Sequence, residues 1–194
     1  DEPGVERLVA AASAAFGPAD ILVNNAGIIG PTGPLFQLDI NEWERTLAIN
    51  LTGAFLCAKH ALPAMMEKRW GRVINIASVG GLMGYALRSA YAASKWGMIG
   101  LTKTLALEVG RHNITVNAIA PGPVGGPRMD EVIKRRAAET GRTLDETRHE
   151  YVGRIALGRM VSEIDIAAMA LFLASEEAKN ISGETLTVSG GFPL

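Results

Sequence analysis

The sequence has 194 residues, 48% hydrophobic and 20% charged, with 19 basic against 20 acidic side chains and a formal net charge of −1. That balance fits one globular domain and excludes a disordered or fibrous chain, and it offers no field to hold a nucleic-acid backbone or an anionic membrane. The single cysteine, Cys57, excludes an internal disulfide framework and points to a reducing, cytoplasmic compartment; with only three scattered histidines it also argues against a metal site. No apolar run approaches the length of about 18 residues needed for a membrane span. The opening Asp-Glu-Pro-Gly is no signal peptide, and it lacks an initiator methionine.

Val5, Leu8, Val9, Ala12 and Phe16 repeat at helical spacing, and Gly17-Pro18 ends that helix. Ile21-Leu22-Val23 reads as a strand buried on both faces, stopping at Asn24-Asn25-Ala26-Gly27. Residues 28–38 are a loop. Asp39 with Glu42 resembles a capping box opening a long helix to about residue 66, bent near its end by Pro63. Arg72 to Ser78 is the next strand, followed by Gly80, Gly81 and Gly84. A second long helix covers residues 89–110, and Ile114 to Ala120 is a strand broken by Pro121-Gly122-Pro123. Met129 to Arg154 predicts one or two exposed helices. Ser162 caps a helix to Ser175, with Ile164, Ile166, Met169, Ala170, Leu171 and Leu173 as its apolar face. Glu184 to Ser189 is the last strand. Strands alternating with helices imply right-handed βαβ units and a parallel sheet, whose ligands gather beyond the carboxyl ends of the strands. Asn24–Gly27, Ser78–Gly81, Pro121–Gly122 and the loop after it fall at those ends.

Tyr91 and Lys95 stand one helical turn apart on one face. A lysine ammonium about 4 Å from a phenol is worth roughly 4 kcal/mol at an effective dielectric of about 20. That is enough to bring a phenol from its ordinary value of about 10 toward neutrality, where it could act as a base. The bland alternative is a surface lysine beside a half-buried tyrosine. Ser78, at the end of a buried strand, could donate to a substrate carbonyl as its oxygen gains charge, or could satisfy a loop amide. Asn50 sits mid-helix, an unfavourable place for asparagine, so it binds a water or a backbone carbonyl or marks a local helix distortion.

Asn24-Asn25-Ala26-Gly27, Asn50, Ser78, Tyr91-x-x-x-Lys95 and Pro121-Gly122 follow the order and spacing of the short-chain dehydrogenases/reductases, and the resemblance spans essentially the whole chain. It implies a Rossmann-type doubly wound α/β fold, here strands four to seven of the family's seven. Residues 1–194 would be part of one oxidoreductase domain, with 122–160 a substrate-covering segment. It implies a nicotinamide cofactor, NAD or NADP, and hydride transfer to or from a secondary alcohol or ketone. By the resemblance Tyr91 is the general acid/base, and Lys95 lowers its pKa and holds the nicotinamide ribose. Ser78 orients the substrate, and Asn50 anchors a water that relays protons toward Lys95. Asn24, Ala26 and Gly27 line the adenosine side of the cofactor; Pro121, Gly122 and Val124 pack against the nicotinamide. A homodimer or homotetramer is implied as well.

The resemblance departs from the family in two places. Val188-Ser189-Gly190-Gly191 stands where many members read V-D-G-G, away from the catalytic positions. The glycine-rich T-G-x-x-x-G-x-G turn that receives the pyrophosphate has no match, and the segment selecting NAD or NADP is likewise missing. The competing reading is therefore a catalytically silent remnant serving as a binding or assembly module. Arg88 could meet an anionic substrate group, although a capping or surface role is the simpler reading. The basic residues around 126–136 read as a solvated helical face. His60, His112 and His149 lack carboxylate partners at useful sequence spacing. Cys57 reads as a buried helix residue, and Trp96, Met98 and Ile99 as residues that pack within the chain or between subunits.

Overall fold

A computed structural model describes residues 1–194. In chain order the elements are α1 (Glu2–Phe16), β1 (Ile21–Asn24), α2 (Ile40–Leu47), α3 (Gly53–Lys68), β2 (Gly71–Ile76), α4 (Ser89–Val109), β3 (Ile114–Pro121), α5 (Pro127–Thr140), α6 (Leu144–Gly153), α7 (Glu163–Ala174) and β4 (Thr185–Val188). The four strands form one parallel sheet in the order β1-β2-β3-β4. Parallel neighbours need a crossover, and α3, α4 and α7 supply the three helical ones. No helix is long and apolar enough to cross a membrane.

Side-chain alternation along the strands divides the core. Val73, Ile114 and Val116 meet Ala58, Leu62 and Met65 of α3 on one face. Ile74 and Ile119 meet Leu173 of α7 on the other. Helices therefore cover both faces, the doubly wound arrangement. A buried polar thread ties β1, β2 and α4 together. Asn24 Nδ2 donates to Asn75 Oδ1, Asn75 Nδ2 to Thr102 Oγ1, and Thr102 Oγ1 to the Met98 carbonyl, each at 2.8 Å. Each donor in the thread has an acceptor, which is the condition for burying it.

Several sequence expectations are revised. β1 pairs only with β2, and of its side chains Leu22 packs against the α3 core while Ile21 and Val23, on the other face, are 44% and 45% exposed, Val23 lining the cavity. The helix expected from 39 to 66 is two α-helical pieces joined by a π-helical turn at Ala48–Thr52, and it passes through Pro63 to Lys68. Asp39 caps it by accepting from the Asn41 and Glu42 amides at 2.8 and 3.3 Å. The charged segment forms two helices, but each buries a face: Met129, Val132 and Ile133 on α5, Tyr151 on α6. Ser162 does cap α7, in a reciprocal box with Asp165. Of the apolar residues expected inward on α7, Ile164 and Leu171 are exposed. His60 has a carboxylate partner after all, Glu2 at 3.4 Å, brought in from α1. Cys57 is only half-buried, and Trp96 is exposed while Met98 and Ile99 are buried.

Candidate active site

The carboxyl ends of β1, β2 and β3 open into a cavity of about 890 Å³. Asn25, Ala26 and Gly27 form one end of its wall, Pro121–Gly126 another, and Ser78, Tyr91 and Lys95 lie on its wall between β2 and α4. The helices α5 and α6 close it through Arg128, Met129, Val132 and Tyr151.

Ser78 follows β2 and caps a short 3-10 turn, its Oγ accepting from the Gly80 amide at 3.1 Å. The loop-amide role is thus real, and it leaves the hydroxyl hydrogen free to donate elsewhere. Gly81 then packs directly against the backbone of Lys95: a Cβ there would lie 2.7 Å from both the carbonyl carbon and oxygen. That close approach lays α4 beside the Ser78 turn.

Tyr91 and Lys95 share the cavity face of α4 as their spacing predicts, with no hydrogen bond between them. Lys95 Nζ lies 5.9 Å from the Tyr91 ring centroid and donates to the Ile76 carbonyl at 2.6 Å. Burial, and secondarily the positive charge of Arg128, hold the Lys95 ammonium down to about 8. One of its three N–H donors is thereby used. The guanidinium carbon of Arg88 lies 4.8 Å from the Tyr91 ring centroid.

Asn50 sits in the π-helical turn, fully buried. Its Oδ1 accepts from the Ile28 amide at 2.7 Å, and its Nδ2 donates to the Ile28 carbonyl and to Ser94 Oγ, each at 3.1 Å. Both alternatives left open for this residue, a backbone partner and a local helix distortion, are met together. A Cβ on Gly27 would stand 3.2 Å from Asn50 Oδ1 and 3.7 Å from Lys95 Nζ, so the Gly27 turn packs against both side chains.

The rest of that turn is held from other elements. Arg128 donates to the Gly27 carbonyl at 2.8 Å, Arg88 to that of Ile29 at 2.6 Å, and Arg135 to that of Gly30 at 3.2 Å. With Asn50 on Ile28, each carbonyl from 27 to 30 has its own side-chain donor. Arg88 is 3% exposed, which corrects its reading as a surface residue. Asn24 turns toward Asn75 rather than the cavity, and its neighbour Asn25 takes the wall position. Tyr85, Arg128 and Tyr151 also belong to the wall. No sequence spacing singled them out, because they come from three separate segments, the stretch before α4 and the helices α5 and α6.

The residues fit a nicotinamide dinucleotide. One cavity is lined by both the Gly27 turn and Tyr91. It also holds a buried ammonium with spare donors, as a ribose diol requires. Gly122 lets the chain pass close against Ser189, where a Cβ would lie 2.8 Å from its Cα.

A family model described as Enoyl-(Acyl carrier protein) reductase matches residues 1–193. The chain is 39% identical over 189 residues to D-beta-hydroxybutyrate dehydrogenase of Cupriavidus necator, covering 97% of this chain and 73% of that protein. It is 44% identical over 183 residues to trans-4-hydroxycyclohexanecarboxylate dehydrogenase of Sinomonas cyclohexanicum, covering 94% and 64%. A crystal structure of NAD+-bound xylitol dehydrogenase superposes with a TM-score of 0.96 at 30% identity, covering 98% of this chain and 75% of that one. The chain belongs to the short-chain dehydrogenase/reductase family, and its fold is that family's Rossmann-type sheet.

Proposed function

We propose that this member of the family interconverts a secondary alcohol and a ketone with NAD or NADP, using Tyr91 as general acid/base. The observation that carries the reading is one cavity wall. Ser78 keeps a free hydroxyl hydrogen there, the Tyr91 hydroxyl has no protein partner, and buried Lys95 keeps spare donors. The bound nicotinamide supplies the hydride acceptor or donor. Ser78 donates to the substrate oxygen and fixes its direction. Tyr91 takes the hydroxyl proton during oxidation and returns it during reduction. Lys95 and the Gly27 turn hold the cofactor, and Pro121, Gly122 and Val124 line its nicotinamide end. Asn50 keeps the Gly27–Gly30 turn in place through Ile28. Residues 122–160, with α5 and α6, form the substrate cover.

Exposed Phe55, Trp96 and Leu107 on α3 and α4 suit a helix-paired dimer or tetramer. The test of function is turnover of secondary alcohols by the full-length protein with NAD and with NADP, followed by nicotinamide absorbance. Tyr91→Phe should lower turnover by a factor of about 10² or more. Near-native turnover in Tyr91→Phe refutes the role.

A further inference from the structure

The charges around the cavity are unequal. Its wall carries three cations, Arg88, Lys95 and Arg128, and one carboxylate, Glu163. Lys95 and Arg128 stand by the Gly27 turn, one of them bonded to its carbonyl. Arg88 reaches the same turn at Ile29 but lies beside the tyrosines, 4.8 Å from the Tyr91 ring centroid and 5.5 Å from that of Tyr85. It is 3% exposed, and among its donors only one Nη2 hydrogen is used, on the Ile29 carbonyl. Its Nε is buried without any partner, and no carboxylate pairs with it.

A buried guanidinium without a counter-ion is costly, and the two tyrosine rings and one carbonyl offset only part of that cost. The two tyrosine hydroxyls beside it add a donor. The Tyr85 and Tyr151 hydroxyls share one hydrogen bond at 2.8 Å, so one of the two hydrogens remains to be given outward. Burial, and after it Tyr151, push the Tyr85 hydroxyl well above the ordinary phenol range, so this pair stays neutral and donating. Tyr85 and Tyr151 themselves pack with Met129, Val132 and Ile133, an apolar cluster.

We infer that Arg88, helped by the Tyr85–Tyr151 pair, is the anchor for a substrate carboxylate. On this inference the substrate is a compact hydroxy acid or oxo acid whose charge lies a few bonds from the reacting carbon. The inference rests on the reading of Tyr91 given above and narrows its substrate class. Two of the relatives are named for hydroxy acids, hydroxybutyrate and hydroxycyclohexanecarboxylate. Such a substrate replaces the missing counter-ion, and the fixed guanidinium rejects a neutral ester or amide, whose weaker acceptor leaves the charge unpaired.

The test uses full-length protein saturated with oxidised cofactor and measures binding and turnover separately. Cyclohexanecarboxylate and cyclohexanecarboxamide, which carry no hydroxyl to oxidise, are titrated calorimetrically. In parallel, kcat/KM is compared for 4-hydroxycyclohexanecarboxylate and 3-hydroxybutyrate and for their methyl esters. The acid should bind about 10- to 100-fold tighter than the amide, the usual worth of a hydrogen bond to a charged group. Arg88→Gln should abolish that preference through KM, and Arg88→Lys should keep part of it, which separates a lost charge from a damaged fold. Tyr91→Phe should lose turnover while keeping the preference. Equal binding of acid and amide by the wild type overturns the inference. So does a preference that survives Arg88→Gln, or one abolished by Arg128→Gln and not by Arg88→Gln. Turnover of the esters as fast as the acids refutes the carboxylate anchor alone, whereas absence of turnover on every alcohol with binding preference intact refutes the oxidoreductase reading alone.

Discussion

Gly81→Ala tests whether a backbone contact sets the arrangement of Ser78, Tyr91 and Lys95 proposed for catalysis. The new methyl would lie 2.7 Å from the Lys95 carbonyl carbon and oxygen, and 3.1 Å from Ile99 Cδ1. Ordinary carbon contacts are about 3.5–4.0 Å, so α4 must retreat from the Ser78 turn by roughly 1 Å. The side chain of Ile99 can rotate, but the Lys95 backbone sits inside a helix and cannot. Overpacking of this kind costs about 1–3 kcal/mol. In a domain of this size each kcal/mol lowers Tm by roughly 2–4 °C. The helix carries Tyr91 and Lys95 while Ser78 stays on β2, so misplacement by about 1 Å should cost up to roughly 10²-fold in kcat. Gly84, three residues on, has no atom within 4 Å of its would-be Cβ. Gly84→Ala is the matched control and should leave both properties near wild type. Calorimetric melting and steady-state kinetics on the pair decide the matter: equal behaviour of Gly81→Ala and Gly84→Ala refutes the geometry argument.

Lys95 predicts a pH signature. Its folded pKa of about 8 lies below the ordinary 10.5, so the unfolded chain binds more protons between those values. Stability linked to Lys95 is therefore fully present above about 10.5 and is lost as pH falls through about 8. Wild type should gain on Lys95→Met between pH 8 and 10 in urea unfolding, by at most about 1.4 kcal/mol per pH unit. A constant difference across that range contradicts the assignment. Asn50→Ala strands the Ile28 amide and carbonyl, each worth about 1–3 kcal/mol if buried without a partner, and should lower the urea midpoint. Asn50→Asp can still accept from the Ile28 amide but cannot donate to its carbonyl, so it should recover only part of the loss. For assembly, sedimentation of the full-length protein at micromolar concentration should give a dimer or tetramer, and a monomer would refute the exposed helix faces as an interface.

Elements whose signals are local were legible in the sequence. Ser162 reads as a cap from its residue type just before an apolar helical run, and Tyr91 and Lys95 read as one face because they lie one turn apart. The breaks that glycine and proline impose after α1 and β3 were equally legible. Exposure was not legible, because it belongs to the neighbours. Ile21-Leu22-Val23 has the composition of a strand covered on both sides, yet only Leu22 joins the core packed on α3, while Val23 is 45% exposed and lines the cavity. On α7 the apolar residues run all round the helix, so no stripe distinguishes inward Leu173 from outward Leu171.

The site divides along the same line. Asn50, Ser78, Tyr91 and Lys95 were readable because the chemistry of each is odd for its place: asparagine in mid-helix, a hydroxyl at a strand end, a phenol above a lysine. What holds them together was not readable. The four carbonyls from Gly27 to Ile28, Ile29 and Gly30 are bound by Arg128, Asn50, Arg88 and Arg135, which lie from 22 to 105 residues away in sequence. An arginine that donates to a backbone carbonyl leaves no trace in composition, since any residue supplies the acceptor. Arg88 shows the consequence. On sequence alone its charge argues for the surface, because isolated buried guanidinium groups are costly. The fold reverses that argument by stacking it on two tyrosines and giving it one carbonyl. The unpartnered remainder of its charge is then a property of the cavity, and it makes the bound substrate's charge the variable most worth measuring.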